Sequence, residues 1–363
     1  MSRPALLDKL FQAGEWVLKP GLVPIDDVTI KRNQTQIYVA LDALIRQGGG
    51  LAVGSDKRIY VDFSLMPTDA FEELLKSIRV PVWLTGNKNF YVNGTTGSDV
   101  LDAGRGENAS KPFKTIQAAI DYVADNYNLS NYRALINVSP GVYLEHVMLR
   151  KYNSVSGYIE IRGAANKEDV VIRRLELQHS VTYLLTSVTI RQDLAFANYY
   201  GVIATQAGEL RIQNVCIDCT CVPEDSYSFT AVWTRGSGGI YVIGVNSGEI
   251  PTGLTILVNT NPKLVSGIAA TSGGLYNFNA DLTINGDTAS TFVPISLESL
   301  SVATFVNSGA NYPGRAPQVT GTGTKAGARY KIVGNSIINT NGSGPEFFPG
   351  TLPGVTGSGG QYL

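Results

Sequence analysis

The sequence predicts a mainly β protein whose central part is a parallel β-helix. An eight-residue template, Φ-x-Φ-x-x-Φ-x-Φ with Φ apolar, recurs five times, starting at Tyr183, Leu210, Ile240, Leu275 and Leu300. By subtraction the copies start 27, 30, 35 and 25 residues apart, a period typical of solenoids and propellers. Each copy contains two strands of period two that meet at a two-residue corner. A chain that bends at such a corner on every lap, with apolar side chains inward, forms a parallel β-helix.

The corner residues support this interpretation. The second corner position holds, in order, Ser187, Asn214, Gly244, Asn279 and Thr304. Asn and Gly adopt a left-handed backbone most easily, so we expect Asn214, Gly244 and Asn279 in or near that conformation. The third apolar column is then predicted to be one buried stack of Val188, Val215, Val245, Ala280 and Phe305. The repeats predict about six or seven laps.

The composition excludes several classes of partner. Charged residues make up only 16% of the 363 residues, and the net charge is −1. Nucleic-acid binding needs a basic face, so we expect no nucleic-acid partner. No run approaches 18 consecutive apolar residues, which predicts no membrane insertion. The N-terminus lacks the apolar core of a signal peptide, so we expect synthesis in a cytoplasm.

Residues 1–89 are predicted to form a separate small α+β module. Apolar residues at helical spacing predict helices at residues 4–18, 36–47 and 68–79. Between the last two, alternation predicts a hairpin that spans residues 51–63 and turns at Gly54-Ser55-Asp56. Amphipathic helices with little else to pack on suggest docking to another chain.

The segment at residues 90–172 predicts the entry into the β-helix. Phe113, Ile116, Ile120 and Val123 lie on one helical face, and this helix is placed to cap the first lap, whose apolar end needs a cover. The stretches YVNGTTGSD, KPFKTIQAAIDYV, INVSPGVYLEHVML and GYIEIRGAANKEDVVI resemble the opening of pectin-lyase-like right-handed β-helix proteins. They are similar in particular to phage tail spikes and tail fibres built on that fold.

The last segment, residues 327–363, resembles the closing segment of trimeric phage tail-fibre and receptor-binding proteins. The resemblance is carried by Arg329-Tyr330, Phe347-Phe348-Pro349-Gly350 and Gly359-Gly360-Gln361-Tyr362. It implies a homotrimer with an ordered Gly/Pro-rich tip shared among three chains. The predicted organisation is an attachment module (1–89), an entry strand and capping helix (90–127), a right-handed β-helix (128–325) and a trimer tip (326–363).

Three cysteines, Cys216, Cys219 and Cys221, have a spacing that suggests a metal site. The strand register argues against it: Val215 and Ile217 point inward, so Cys216 is expected to face out, and Cys219 and Cys221 to face in. Thiols on opposite faces cannot bind one ion. We therefore predict no metal site and no other cofactor.

Paired carboxylates are the remaining route to catalysis, because glycan hydrolysis needs two acids flanking the scissile bond. The loops after Ile190 and Ile217 are one lap apart and should stack on the same corner. Asp193 in the first loop would then lie near Glu224 and Asp225 in the second. The alternative is that all three are ordinary solvated loop charges.

The same two loops hold candidate binding residues: Arg191, Asn198, Tyr199, Tyr200 and Tyr227. The tyrosines can stack on sugar rings or pack between subunits. Trp233 precedes Ile240 by seven residues, as Ile203 precedes Leu210, and this apolar column predicts that Trp233 belongs to the core rather than to a sugar platform.

The resemblance implies a phage tail fibre or receptor-binding protein, located in the virion tail and assembled in the host cytoplasm. Residues 1–89 would attach to tail or baseplate proteins, and the stalk or tip would contact a bacterial surface glycan or protein. The short rod and the missing catalytic motif favour binding over catalysis. Two alternatives remain: a tail-spike depolymerase that cleaves surface polysaccharide, and a structural baseplate or fibre adaptor.

Overall fold

The computed structural model describes residues 51–53, 59–61, 81–193, 201–223, 226–243, 253–305 and 317–363. The chain divides into two compact units, residues 1–80 and 81–363. The described part of the first unit is an antiparallel hairpin of β1 (Leu51–Val53) and β2 (Ile59–Val61), which confirms the predicted hairpin. The predicted helices at residues 4–18, 36–47 and 68–79 lie outside the described residues.

The described residues of the second unit are mainly β. A small pair consists of β3 (Val82–Trp83) and β5 (Tyr127–Asn128). The first long sheet contains β4 (Lys88–Val92), β6 (Arg133–Val138), β8 (Tyr158–Arg162), β10 (Thr182–Thr186), β13 (Glu209–Gln213), β16 (Gly239–Val242), β19 (Leu275–Phe278), β22 (Val302–Phe305), β25 (Ile337–Asn339) and β27 (Gln361–Tyr362).

The second long sheet contains β7 (Gly141–Leu149), β9 (Val170–Leu177), β11 (Thr189–Arg191), β12 (Gly201–Thr205), β14 (Val215–Asp218), β15 (Phe229–Arg235), β17 (Leu254–Leu257), β18 (Leu264–Thr271), β20 (Leu282–Asn285), β21 (Val293–Leu297), β23 (Val319–Thr320), β24 (Lys331–Ile332) and β26 (Val355–Thr356). Strand β9 is long enough to pair with β11 at one end and β12 at the other, so it joins two flanks into one sheet.

Every strand pair in the two long sheets is parallel, and the chain alternates between the sheets as it advances. From β10 to β24 each lap takes one strand of the first sheet and then one strand from each flank of the second, whereas β6, β8 and β25 are each followed by a single strand of the second sheet. This path is compatible with a β-helix. The first sheet has ten strands, more than the six or seven laps expected, because the opening and closing segments add strands of their own.

The predicted capping helix is present. Helix α1 (Ile116–Asn126) begins after Thr115, whose hydroxyl accepts a hydrogen bond from the backbone N–H of Ala118. The side chain of Glu145 accepts from the N–H groups of Ile116 and Gln117, which satisfies two more donors at the helix N-terminus. Ile116, Ile120 and Val123, together with Phe113 just before the helix, are fully buried, as predicted. The helix packs on β4, β6 and β7.

The pairing confirms the first three copies of the repeat and corrects the last two. Tyr183 pairs with Leu210, and Leu210 with Ile240, as predicted. Ile240 then pairs with Tyr276 rather than Leu275, so the fourth copy is shifted by one residue. The fifth was placed wrongly at Leu300, which is 67% exposed in the turn before β22, and Ala303 continues the column instead.

The third column needs a similar correction. Val188 and Val215 are fully buried, but Val215 pairs with Leu254 and not with Val245, which lies outside the described residues. An insertion at residues 243–253 separates β16 from β17, and the repeat template did not allow for it. Phe305 is buried in a neighbouring column, paired with Phe278. Ala280 is buried as predicted.

Corner geometry follows the length of each corner. Ser187 and Asn214 have φ of 54° and 53°, which confirms the left-handed prediction for Asn214. Asn279 does not have positive φ, so its prediction was wrong: three residues, 279–281, separate β19 from β20 there, and a longer corner turns without a left-handed residue. Gly244 lies outside the described residues.

The inner column changes character along the chain. Phe90 begins the column, aliphatic residues follow, and Phe278 and Phe305 occupy the later laps; the aliphatic residues are Ile136, Ile161, Leu185, Ile212 and Val242. The two phenylalanine rings stack with centroids 4.3 Å apart. At the end, Phe305 meets the rings of Phe347 and Phe348 edge-on, at 5.2 and 5.4 Å, and Tyr362 stacks on Tyr330 at 4.4 Å. The closing segment therefore covers the core and extends both sheets within one chain.

Candidate functional site

The predicted site in the loops after β11 and β14 is only partly described. Strands β11 and β14 stack as predicted, with Ile190 on Ile217 and Arg191 on Asp218. Arg191 Nε donates to the carboxylate of the buried Asp218 at 2.7 Å. Asn198, Tyr199, Tyr200, Glu224 and Asp225 lie outside the described residues. The predicted proximity of Glu224 and Asp225 to Asp193 therefore stays a prediction, as does the binding role of the other three.

Asp193 is held by an arginine. Arg173 donates from Nε at 2.6 Å and from a terminal nitrogen at 3.2 Å, and these hydrogen bonds lower the pKa of the Asp193 carboxyl below its ordinary value. A carboxylate held ionised in this way is a poor general acid. Tyr227 is 54% exposed, and its binding role stays a prediction.

Two of the three cysteines follow the predicted alternation. Cys216 does not belong to the core that contains Val215 and Ile217, so it lies on the outer side of β14 as predicted. It is nevertheless buried there, and Lys167 and Glu168 of the short 3-10 helix (Lys167–Asp169) lie near it. Burial raises the pKa of its thiol to about 11. Cys219 is buried as predicted, whereas Cys221 is exposed because β14 ends at Asp218 and the chain turns. Within the described ranges, no group of three or more His, Cys, Asp or Glu side chains could hold a metal ion.

Trp233 is not a core residue, contrary to the prediction. Ile203, Val232 and Ile268 form the buried column, and Trp233 pairs instead with Ala204 and Ala269 on the outer side of the sheet. The reason is one additional residue between β15 and β16. Thr205 pairs with Thr234 and Glu209 with Gly239, and by subtraction the first lap advances 4 positions between them and the second 5. The core residue therefore lies eight positions before Ile240, at Val232, and not seven.

A groove lies on this outer side of the sheet, and we call it the Trp233 groove. It crosses the outer side of β15, β18, β21 and β24, which are adjacent in that order, and has a volume of about 440 Å³. Trp233 and Ala269 line one part and Val265 and Val293 another. Its polar lining consists of Ser228, Thr230, Ser266, Thr271, Thr291, Ser296, Glu298 and Lys331.

Two features of the groove are electrostatic. At the β21–β24 end, Lys331 Nζ lies 2.7 Å from Glu298 Oε1, and both side chains are partly exposed. Ser266 is only 2% exposed, and its hydroxyl has no hydrogen-bond partner among the described residues. The hydroxyl of Thr230, which is paired with Ser266 across β15 and β18, also has no hydrogen-bond partner among those residues. An unpaired buried hydroxyl carries a desolvation cost that a hydrogen-bonding ligand removes.

A second polar cluster lies outside the groove, on β7 and β9. Glu176 is buried, with His146 Nε2 at 3.2 Å and an Arg174 nitrogen at 3.7 Å. Gln178 and Gln206 donate to its other oxygen. The hydrogen bond from His146, with these donors and Arg174, lowers the pKa of Glu176 to about 2. Because its acceptors are occupied by protein groups, this cluster is a structural element rather than a binding site.

The groove combines an indole, a ring of hydroxyls and one carboxylate–ammonium pair. An aromatic ring with a polar surround binds ligands that have both an apolar face and many hydroxyls. Sequence reasoning missed the groove because its lining comes from strands about 100 residues apart.

Comparison with known proteins adds no identification. No protein-family model, no curated protein and no solved structure matches the chain. No helix in the described part of the chain is long and apolar enough to cross a membrane.

Proposed function

We propose that the chain is a homotrimeric, right-handed β-helix fibre of a phage tail that binds the bacterial surface without cleaving it. Residues 1–89 attach it to tail or baseplate proteins, and the second unit presents the receptor-binding surface. The observation that carries the binding role is the Trp233 groove, a polar and aromatic hollow on the outside of parallel sheets. The tail-fibre assignment is supported by the opening and closing segments that resemble such fibres.

Binding rather than cleavage is favoured by the carboxylates. Glycoside hydrolysis uses a pair of acids on opposite sides of the scissile bond. Glu298 is the one carboxylate among the described residues that line the groove, and it is paired with Lys331. Asp193 is held by Arg173. The depolymerase alternative therefore depends on Glu224 and Asp225.

The proposal is tested by screening the purified chain for adsorption to a collection of bacterial strains. We expect adsorption to some strains, and weaker adsorption by the triple variant Tyr199→Ala, Tyr200→Ala and Tyr227→Ala if the loops contribute. Reducing-end sugars released from the bound strain's polysaccharide would favour the depolymerase. Failure to adsorb to any strain, with binding of a tail protein instead, would favour the adaptor.

The trimer is tested by light scattering coupled to size exclusion. We expect the full chain to elute as a trimer. Truncation after Asn339 removes β26, β27 and the two phenylalanines that cover Phe305, so it should give monomers or aggregates. A stable, folded monomer from that truncation would overturn the trimer proposal.

A further inference from the structure

We propose that the Trp233 groove binds an uncharged oligosaccharide that lies across the strands, with one sugar ring on the Trp233 indole and a neighbouring sugar's hydroxyls on Glu298 and Lys331. This inference deepens the proposed function, and rests on it in so far as the ligand is a receptor at the bacterial surface.

The shape of the groove fits an elongated ligand. It spans four adjacent strands, which at about 4.8 Å per strand is about 14 Å from β15 to β24. Trp233 lies at one end and Lys331 at the other. A single small ligand cannot touch both ends, whereas a chain of two or three sugar rings can.

The lining fits sugars. Ala269, beside Trp233 in the same outer row, is small and leaves space next to the indole for a flat ring. The C–H face of a sugar packs on an aromatic ring, and its rim of hydroxyls needs donors and acceptors. The hydroxyls of Ser266 and Thr230 have no partner among the described residues and can supply both.

The charges select against anionic ligands. Glu298 and Lys331 neutralise each other, so the described residues that line the groove offer no unpaired cation to a carboxylate or phosphate. A carboxylate of the ligand would have to displace Glu298 from Lys331 and remain close to it. A neutral sugar leaves the pair in place: Glu298 accepts from adjacent hydroxyls while Lys331 donates.

The test uses calorimetric titration of the full chain with two panels of oligosaccharides, neutral hexose polymers of three to six sugars and uronate-containing ones of the same lengths. We expect a neutral oligosaccharide to bind, Trp233→Ala to weaken binding at least about tenfold, and Trp233→Tyr to retain part of it. Trp83→Ala is the matched control, because Trp83 is a half-exposed tryptophan on β3, and it should change nothing.

The charge selection has its own test. Glu298→Gln keeps the shape and removes the charge, so it should weaken neutral binding about fivefold and increase affinity for uronates, which then meet an unopposed Lys331. Glu346→Gln, an exposed carboxylate paired with Arg329 outside the groove, is the control. Stronger binding of uronates than of neutral sugars by the unmodified chain would overturn the selection argument.

Direct contact is tested by fluorescence. The chain has three tryptophans, so Trp16→Phe with Trp83→Phe leaves Trp233 as the sole indole. Neutral oligosaccharide should shift or quench its emission with the calorimetric dissociation constant. An unchanged spectrum, binding that survives Trp233→Ala, or no oligosaccharide binding at all would each overturn the inference. So would a Trp233→Ala chain that loses its oligomeric state, because the groove would then be a subunit interface.

The outcomes separate this inference from the proposed function. Sugar binding that depends on Trp233, without adsorption to any bacterium, would leave the groove assignment standing and contradict the fibre role. Adsorption that survives Trp233→Ala while sugar binding is lost would mean that another surface contacts the receptor.

Discussion

The early laps (residues 81–193) and the late laps (residues 253–363) of the second unit follow the same path of parallel strands. They differ in the side chains of the outer surface and in those of one inner column. In residues 81–193 the outer surface is rich in ion pairs: Arg133 and Arg162 with Glu160, Arg150 with Asp121 and Asp125, and Arg173 with Asp193. In residues 253–363 it is rich in Ser and Thr, and the ion pairs described there are Lys331–Glu298 and Arg329–Glu346. One inner column also changes, from Leu185 in the early laps to Phe278 and Phe305 in the late ones.

This difference explains where the candidate site lies. The ion-paired side chains of the early laps satisfy one another, so a ligand that used them would have to break existing bonds to gain its own. In the late laps the groove is lined by hydroxyls such as that of Ser266, which has no partner among the described residues, so a ligand that bonds to it breaks no existing bond.

The largest expected effect is the loss of stability when a buried side chain of the inner column is truncated in a late or an early lap. Phe305→Ala should lower the free energy of unfolding by about 4 kcal/mol, and Leu185→Ala, in the same column of an early lap, by about 3 kcal/mol. Phe305 loses the stacking on Phe278 and the edge contacts to Phe347 and Phe348, as well as its buried area. Urea unfolding measures both. A smaller loss for Phe305→Ala would mean that the aromatic stack adds nothing over the aliphatic one.

The second effect concerns the ion-paired surface. Glu160 is 2% exposed and accepts from Arg133 at 3.4 Å and from Arg162 at 2.6 Å. Glu160→Gln should lower the free energy of unfolding by about 1–2 kcal/mol, because both arginines lose a charged acceptor but can turn their partly exposed guanidinium groups to water. Glu298→Gln in the late laps should cost less, since both members of that pair are partly exposed. Equal losses would contradict the comparison.

The third effect is a pH dependence specific to the early laps. The pKa of Glu176 is lowered to about 2 from an ordinary value of 4.5. A lowered folded-state pKa stabilises the fold above the unfolded-state value, and that contribution is lost as the pH falls from about 4.5 towards 2. Glu176→Gln should therefore lower Tm at neutral pH and show a smaller further fall below pH 4.5 than the unmodified chain. Thermal unfolding across this range measures it, with Glu346→Gln as the exposed control.

The sequence predicted the path of the chain better than its register. The columns through Tyr183, Leu210 and Ile240 were right because one left-handed residue, Ser187 or Asn214, forms each of those corners. Beyond residue 243 an insertion and a longer corner changed the spacing, and a fixed template cannot follow such changes. Apolar residues recur in both the correct and the shifted alignment, so composition alone did not reveal the error.

The groove was harder to predict than the fold. Counting seven residues back from Ile240 placed Trp233 in the core because the spacing of Ile203 and Leu210 was taken to be constant. One more residue separates the paired positions Thr234 and Gly239 than separates Thr205 and Glu209, and no local motif signals it. A site built from β15, β18, β21 and β24 also depends on which residues stack across laps, and this is set by the pairing and not by any local motif.

The smallest expected effect is at Asp193. This residue is a predicted catalytic acid, but it also forms one of the surface ion pairs that are typical of the early laps. Its carboxylate is partly exposed and bound by Arg173, so Asp193→Asn should lower the free energy of unfolding by less than about 1 kcal/mol. Because Asp193 then serves Arg173 rather than a substrate, the variant should adsorb to bacteria as the unmodified chain does, and neither should release reducing ends from surface polysaccharide. Sugar release by the unmodified chain that Asp193→Asn abolishes, with unfolding unchanged, would instead place Asp193 in a catalytic pair with Glu224 or Asp225 and make the early laps the functional region.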